Sequence, residues 1–261
     1  MTRTQLVMAN WKQQGSEQTL KQWLSEVNVP ELTAISRVLC VPLPYLATLR
    51  QQRAALQSPV LAGAQLVSAW TGGAYTGEVS AAMLSEFGVT YTLVGHSERR
   101  QWLLETADSR RAQLAALWQQ GITPVLCVGE TAAQHQQGQT FAVLWQQLAE
   151  VLDPQPAPGP LVLAYEPVFA IGSGQPLSAP DAQQVHQQLR QLLQHWYSAA
   201  DCQQIRILYG GSVNSNNAAE YLRYPDIDGV LVGSGSLKAD SFNALCRAIA
   251  SAVTAKTVSL I

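Results

Sequence analysis

Short apolar runs of four to six residues alternate along the whole chain with longer stretches whose apolar positions recur every three or four residues. The runs are Leu6–Ala9, Val38–Val41, Val60–Ala64, Thr90–Val94, Thr123–Val128, Leu161–Tyr165, Ile205–Tyr209 and Gly229–Val232. Several are apolar on successive residues, the pattern of a strand covered on both faces. Each is followed by a helical stretch. Ser16 is placed to cap a helix through Val27, and Pro44 suits the first turn of another. Ser80 is placed to cap Ala81–Phe87, which Gly88 ends, and Ala107–Gln120 ends at Gly121. Thr140–Leu152 precedes the Pro-rich turn Asp153–Pro160. Asp181–Tyr197 carries Val185, Leu189, Leu192, Leu193 and Trp196 at helical spacing, and Asn216–Leu222 and Ser241–Val253 complete the set. The many glutamines read as solvated outer faces, and His135, His186 and His195, which lie among them, as solvated too.

Eight strand–helix cycles predict an α/β protein with a parallel sheet. The Pro-rich turn is the one plausible linker, and a division there would leave five strands on one side and three on the other. A closed (β/α)8 barrel formed as one domain by residues 1–261 fits better. With 47% hydrophobic and 13% charged residues, the chain has ample core material and is not of disordered type. A formal net charge of −2 excludes the broad basic field of a nucleic-acid binder. No apolar run approaches the roughly 18 residues of a membrane span, and Met1–Asn10 lacks the length and charge of a signal peptide. Cys40, Cys127, Cys202 and Cys246 are far apart, with no Cys-x-x-Cys and no histidine pair. They read as reduced core residues of a cytoplasmic protein, not as a disulfide frame or a metal site.

In such a barrel chemistry sits at the carboxyl ends of the strands. The first strand is followed by Asn10-Trp11-Lys12, which brings a cation to the barrel mouth. Alone, that lysine would be an ordinary surface residue. The fourth is followed by Gly95-His96-Ser97-Glu98-Arg99-Arg100, a histidine at a strand end beside dense charge. The sixth ends in Tyr165-Glu166-Pro167, and a carboxylate closing a buried strand is partly desolvated, which strengthens it as a base. Pro167–Gly174 has an apolar middle between proline and glycines, the composition of a water-excluding lid. Gly210-Gly211-Ser212 follows the seventh run, and Gly233-Ser234-Gly235-Ser236-Leu237 follows the eighth and is able to open a short helix. Turns at these two positions are the usual phosphate site of the barrel, where unpaired N–H groups attract an anion. Together they indicate a small phosphorylated substrate. Other motifs fail. Gly95–Arg99 lacks the last glycine of a nucleophile elbow, and His96-x-Glu98 lacks the cysteines of a zinc deaminase. Neither Gly172-x-Gly174 nor Gly233-x-Gly235 reaches the third glycine of a dinucleotide fingerprint.

The colinear segments Ala9–Lys12, Gly73–Glu78, Val94–Arg100, Pro124–Thr131, Ala164–Val168, Tyr209–Val213 and Asp228-Gly229 closely resemble those of the triosephosphate isomerase family. The resemblance implies an isomerase that interconverts dihydroxyacetone phosphate and glyceraldehyde 3-phosphate without metal or organic cofactor. It implies Glu166 as the base that moves a proton between adjacent carbons, His96 as a neutral electrophile that relays a proton between the oxygens, and Lys12 as the stabilising cation. Asn10 would orient the substrate. Backbone N–H groups around Gly172, Ser212, Gly233 and Ser234 would hold the phosphate, while Glu98 matches a family carboxylate near the lysine. The resemblance further implies a homodimer in which the turn Thr71–Glu78 enters a pocket of the other chain, with Thr76 meeting the loop that holds Asn10 and Lys12.

The chain departs from the family pattern at Phe169, Ser173 and Gln175 in the lid, where tryptophan, threonine and lysine are usual, and at Ser234, where a second glycine is usual. Gln13, Gln14 and Leu66 stand where methionine, asparagine and asparagine are common. The altered lid and phosphate turn leave open an isomerase of a related four-carbon sugar phosphate. A non-catalytic phosphate-binding homologue is the other alternative, against which the joint presence of Lys12, His96 and Glu166 argues.

Overall fold

Side chains alternate in direction along a strand, so a strand that is apolar on successive residues must bury both faces. The computed structural model, which describes residues 3–27, 35–153, 159–171 and 175–258 (side chains to 252), shows how. Eight parallel strands close into a barrel: β1 (Gln5–Asn10), β2 (Ile35–Val41), β3 (Leu61–Ala64), β4 (Val89–Val94), β5 (Thr123–Val128), β6 (Val162–Tyr165), β7 (Arg206–Tyr209) and β8 (Gly229–Val232). Closure comes from β8 pairing with β1, Leu6 opposite Gly229 and Ala9 opposite Val232. Leu6, Met8, Val38, Cys40, Leu93, Val125, Cys127 and Leu208 fill the interior. Their neighbours Val7, Ala9, Leu39, Val41, Leu126 and Tyr209 face outward into the layer shared with the helices. All four cysteines are free and buried, as expected. Among the described residues no helix is long and apolar enough to cross a membrane.

Local chemistry sets the helix starts. Ser16 accepts from the Thr19 N–H ahead of Glu17–Glu26, and Ser80 accepts from the Met83 N–H ahead of Ala81–Glu86. Thr140–Leu152 matches its expected span. The helix Ala179–Leu193 starts two residues before Asp181, capped by Ser178, and ends four before Tyr197. There the chain tightens: the N–H groups of His195 and Trp196 reach back only three residues, to Leu192 and Leu193. Three short helices, Ser97–Trp102, Ala132–Gln136 and Ala199–Cys202, were not expected. Of the Pro-rich turn, residues 154–158 lie outside the described residues.

The expectation of a solvated His186 is wrong. Its imidazole is fully buried under the helix Ala179–Leu193, with ring centroids 5.9 Å from Tyr165 and 6.3 Å from Tyr209. Nδ1 lies 3.3 Å from the Asp226 carbonyl. One turn on, Arg190 donates to Asp226 (2.7 Å) and Asp228 (2.7 Å), and Asp228 also accepts from Arg3 and from the Ile207 N–H. This network ties β7 and β8 together at the amino-terminal end of the barrel, away from the strand ends that carry the site. His135 and His195, in contrast, are exposed.

Burial first, and the Arg190 charge second, push the His186 imidazole down to about 3 from 6.5, against the pull of the Asp226 carbonyl. Between those values the unfolded chain binds a proton that the folded chain refuses. The stability of the neutral buried form is therefore complete above 6.5 and falls as pH drops through the window. From pH 7 to pH 5 the wild type should lose about 2 kcal/mol more stability in urea unfolding than His186→Leu does. Equal losses would show that His186 takes up its proton without unfolding.

Candidate active site

Asn10 ends β1 with its side chain buried, and its Oδ1 accepts from the Lys12 N–H at 3.0 Å. That bond holds Lys12 in a left-handed conformation, φ 52°, which a side-chain-bearing residue enters only when surroundings compel it. The Gln65 amide completes the restraint by donating to the carbonyls of Lys12 (2.9 Å) and Cys40 (3.0 Å). The lysine ammonium then reaches Glu98 at 2.5 Å, with both side chains partly exposed. Such a pair contributes about 0–1 kcal/mol, so the cation is easily released to another anion.

His96 leaves β4 and caps the helix Ser97–Trp102, its Nδ1 accepting from the Glu98 N–H at 3.3 Å. A nitrogen that accepts carries no proton, which leaves Nε2 as the ring's donor. Nε2 lies 3.2 Å from Glu166 Oε1, and the Ser97 N–H donates to Glu166 Oε2 at 3.1 Å. Glu166 is 1% exposed. A carboxylate this dry needs donors on both oxygens, and the start of one short helix supplies them. Glycine makes room for it. A Cβ on Gly129 would lie 1.8 Å from the Glu166 carbonyl oxygen, and one on Gly210 would lie 2.9 Å from Glu166 Cγ.

Asn10, Lys12, His96, Glu166, Ser212, Gly233 and Ser234 all line one cavity of about 330 Å3 at the carboxyl end of the barrel. Gly172, with Ser173 and Gly174, lies outside the described residues. Ser212 Oγ donates to the Ala170 carbonyl at 2.7 Å, joining the turn after β7 to the segment after β6. Ser234 opens a short 3-10 turn to Ser236 and is not among the residues with positive φ, so a serine costs no left-handed strain there. The Trp23 indole backs that turn by donating to the Ser236 carbonyl at 2.9 Å. Ile171 of the expected lid and Gly235 of the expected phosphate turn also face the cavity, as do Val213, Asn214, Leu231 and Val232, which were not anticipated. Strand alternation alone could have pointed to Leu231, whereas Asn214, in the loop after β7, had no sequence signal.

The family model for triosephosphate isomerase matches residues 5–249. The chain belongs to the triosephosphate isomerase family. It is 43% identical over 252 residues to triosephosphate isomerase of Idiomarina loihiensis, covering 95% of this chain and 99% of that protein. It is 45% identical over 248 residues to the Ralstonia nicotianae protein of that name, covering 94% and 99%. Against the Thermus thermophilus triosephosphate isomerase the values are 43% over 249 residues, 94% and 98%. The reaction is the interconversion of dihydroxyacetone phosphate and glyceraldehyde 3-phosphate in glycolysis.

At Phe169 this isomerase departs from the expected tryptophan. The phenyl ring lies 4.5 Å from the His135 ring, whose Nδ1 is 3.2 Å from Glu130 Oε1. Glu130 is fully buried and accepts from the Tyr165 hydroxyl (3.0 Å) and the Thr140 hydroxyl (3.1 Å), while its carbonyl accepts from the Val168 N–H (3.0 Å). The first turn after Glu166 is thus docked on the loop after β5.

The close approach of Gly210 to the Glu166 side chain sets a test. Gly210→Ala should push the carboxylate aside and lower kcat by about tenfold or more, with KM and Tm little changed. An unchanged kcat would mean that the placement of Glu166 is not sensitive to that wall.

Proposed function

We propose that Glu166, His96, Lys12 and Asn10 divide the isomerisation among them. The reading is carried by one observation: the side chains of Glu166, His96, Lys12 and Asn10 face the same small cavity, beside the glycine-bearing turns that follow β7 and β8. Glu166 turns from the Ser97 N–H to the substrate and takes a proton from C1 of dihydroxyacetone phosphate. The His96 Nε2–H donates to the carbonyl oxygen as negative charge builds there, and Lys12 exchanges Glu98 for that charge. His96 moves a proton from one oxygen to the other, and Glu166 returns its proton to C2. No net proton is gained or lost. Donors already oriented in a dry cavity stabilise the enediolate without the reorganisation that water would require. Asn10 orients the substrate and keeps Lys12 in its left-handed conformation. The phosphate rests on backbone N–H groups around Ser212, Gly233 and Ser234, joined, as the family resemblance implies, by that of Gly172. A cytoplasmic setting suits the reduced cysteines.

We further infer a homodimer joined through Thr71–Glu78. Every residue of this turn is exposed, and its base is closed by the Ser68 N–H donating to the Val79 carbonyl at 2.8 Å. Trp70 and Tyr75 stack at 4.3 Å while remaining 47% and 42% exposed. Trp102, Leu103 and Leu104 are exposed as well. Aromatic side chains displayed in this way are the usual anchors of an interface. The family resemblance implies that Thr76 meets the Asn10–Lys12 loop of the other chain, and two-fold symmetry would make that contact reciprocal.

Glu166→Asp retracts the base by one methylene and should lower kcat by about 10²-fold with little change in KM. Wild-type activity in that variant would remove Glu166 from the role of base. For assembly, mass and specific activity should fall together on dilution from micromolar to sub-nanomolar concentration; a mass that stays monomeric at micromolar concentration would refute the dimer, and a fully active monomer would refute the claim that assembly orders the catalytic loop.

A further inference from the structure

β5 stops at Val128, yet the backbone that follows it carries the base. The Glu166 N–H donates to the Val128 carbonyl at 2.7 Å, and the Val168 N–H donates to the Glu130 carbonyl at 3.0 Å. These two bonds straddle Gly129, whose Cα is pressed against the Glu166 peptide with no room for a methyl group. Wherever Gly129 moves, Glu166 must follow.

Gly129 is buried, and its own N–H and C=O would be stranded at the end of the strand. One side chain serves both. The Gly129 N–H donates to Gln147 Oε1 at 2.8 Å, and Gln147 Nε2 donates to the Gly129 carbonyl at 2.9 Å. The amide of Gln147, on the outer helix Thr140–Leu152, thereby copies the hydrogen bonding of a neighbouring strand. Arg100 fixes it from behind: Nη1 donates to Gln147 Oε1 at 2.7 Å, with longer contacts from Arg100 to the carbonyls of Cys127 and Gly129, both 3.4 Å. Arg100 lies on the helix Ser97–Trp102, whose first N–H holds Glu166 Oε2. The same short helix therefore grips the base at its carboxylate and, through Gln147 and Gly129, at its backbone.

We propose that Gln147, backed by Arg100, is a positioning residue for the reaction: it sets the main-chain height of Glu166 without touching the substrate. The proposal rests on Glu166 being the base. Its signature is loss of kcat without loss of substrate affinity, because a misplaced base weakens the transition state alone. Gln147→Leu keeps the volume and removes both bonds, and should lower kcat by about ten- to a hundredfold with KM within about twofold. Gln147→Glu still accepts from the Gly129 N–H and from Arg100, and should recover most of that loss. Gln146→Leu, one position away on the exposed face, should leave kcat unchanged.

The decisive experiment is a double-mutant cycle of Gln147→Leu with Glu166→Asp, with kcat, KM and Tm measured for all four proteins. If Gln147 acts through the base, its removal should cost less than about threefold once the base is already displaced. Additive losses, a defect confined to KM, or a normal kcat in Gln147→Leu would overturn the positioning role. A normal kcat in Glu166→Asp alone would instead overturn the assignment of the base. Should Gln147→Leu fail to fold, Gln147→Asn keeps the amide but withdraws it by one methylene, and the same cycle applies.

Discussion

The hydrogen bonds between β8 and β1 are the constraint on which the rest depends. Without them the sheet would have two open edges, and the strand ends that carry Lys12 and Ser234 would be far apart. With them, eight strand ends form a ring, and residues from positions 10 to 235 reach one cavity. Closure also excludes water from the interior, because side chains from the strands fill it completely. The floor under Glu166 is therefore dry, and a dry floor makes each of its few hydrogen bonds count.

The two ends of the barrel are built on different terms. At the amino-terminal end charged groups are matched, Arg190 and Arg3 against Asp226 and Asp228, with Arg190 and Asp228 buried, so that removal of Arg190 would strand a buried Asp228 with only the half-buried Arg3 beside it. At the carboxyl end the contacts are half-exposed or shared with an imidazole, as in Lys12–Glu98 and His96–Glu166. Such contacts hold side chains in place and still let them change partners.

Glutamine, abundant in this chain, illustrates how far a side chain's meaning depends on its neighbours. Gln146 and Gln147 are adjacent on one helix. The first pairs with Glu150 in solvent, and the second completes the backbone hydrogen bonding at the end of β5. Gln65 does comparable work at Lys12 and Cys40. An amide both donates and accepts, so it fits wherever a stranded peptide group needs a substitute neighbour.

Periodicity along the chain marked the eight strands, because a strand buried on both faces is mostly apolar at successive positions, and that signal is local. Strand limits differ by no more than three residues, the largest difference being the early start of β2 at Ile35. That Asn10, Lys12, His96 and Glu166 meet at one cavity was legible for a related reason: in a parallel barrel all strand ends of one kind point one way, so the residues after each run are marked in advance. Short helices such as Ala132–Gln136 were harder to see, since five residues show no periodicity, although the capping box of Thr131 and Gln134 was written in the chain. His186 lay among glutamines and looked solvated. Only packing of the helix Ala179–Leu193 against Tyr165 and Tyr209 decided that it is buried. The left-handed turn at Lys12, the docking of Phe169 on His135 and the grip of Gln147 on Gly129 belong to the same class. Each joins segments that are distant in sequence or on different elements, and no local pattern of hydrophobic and polar residues encodes which side chain will meet which backbone across that distance.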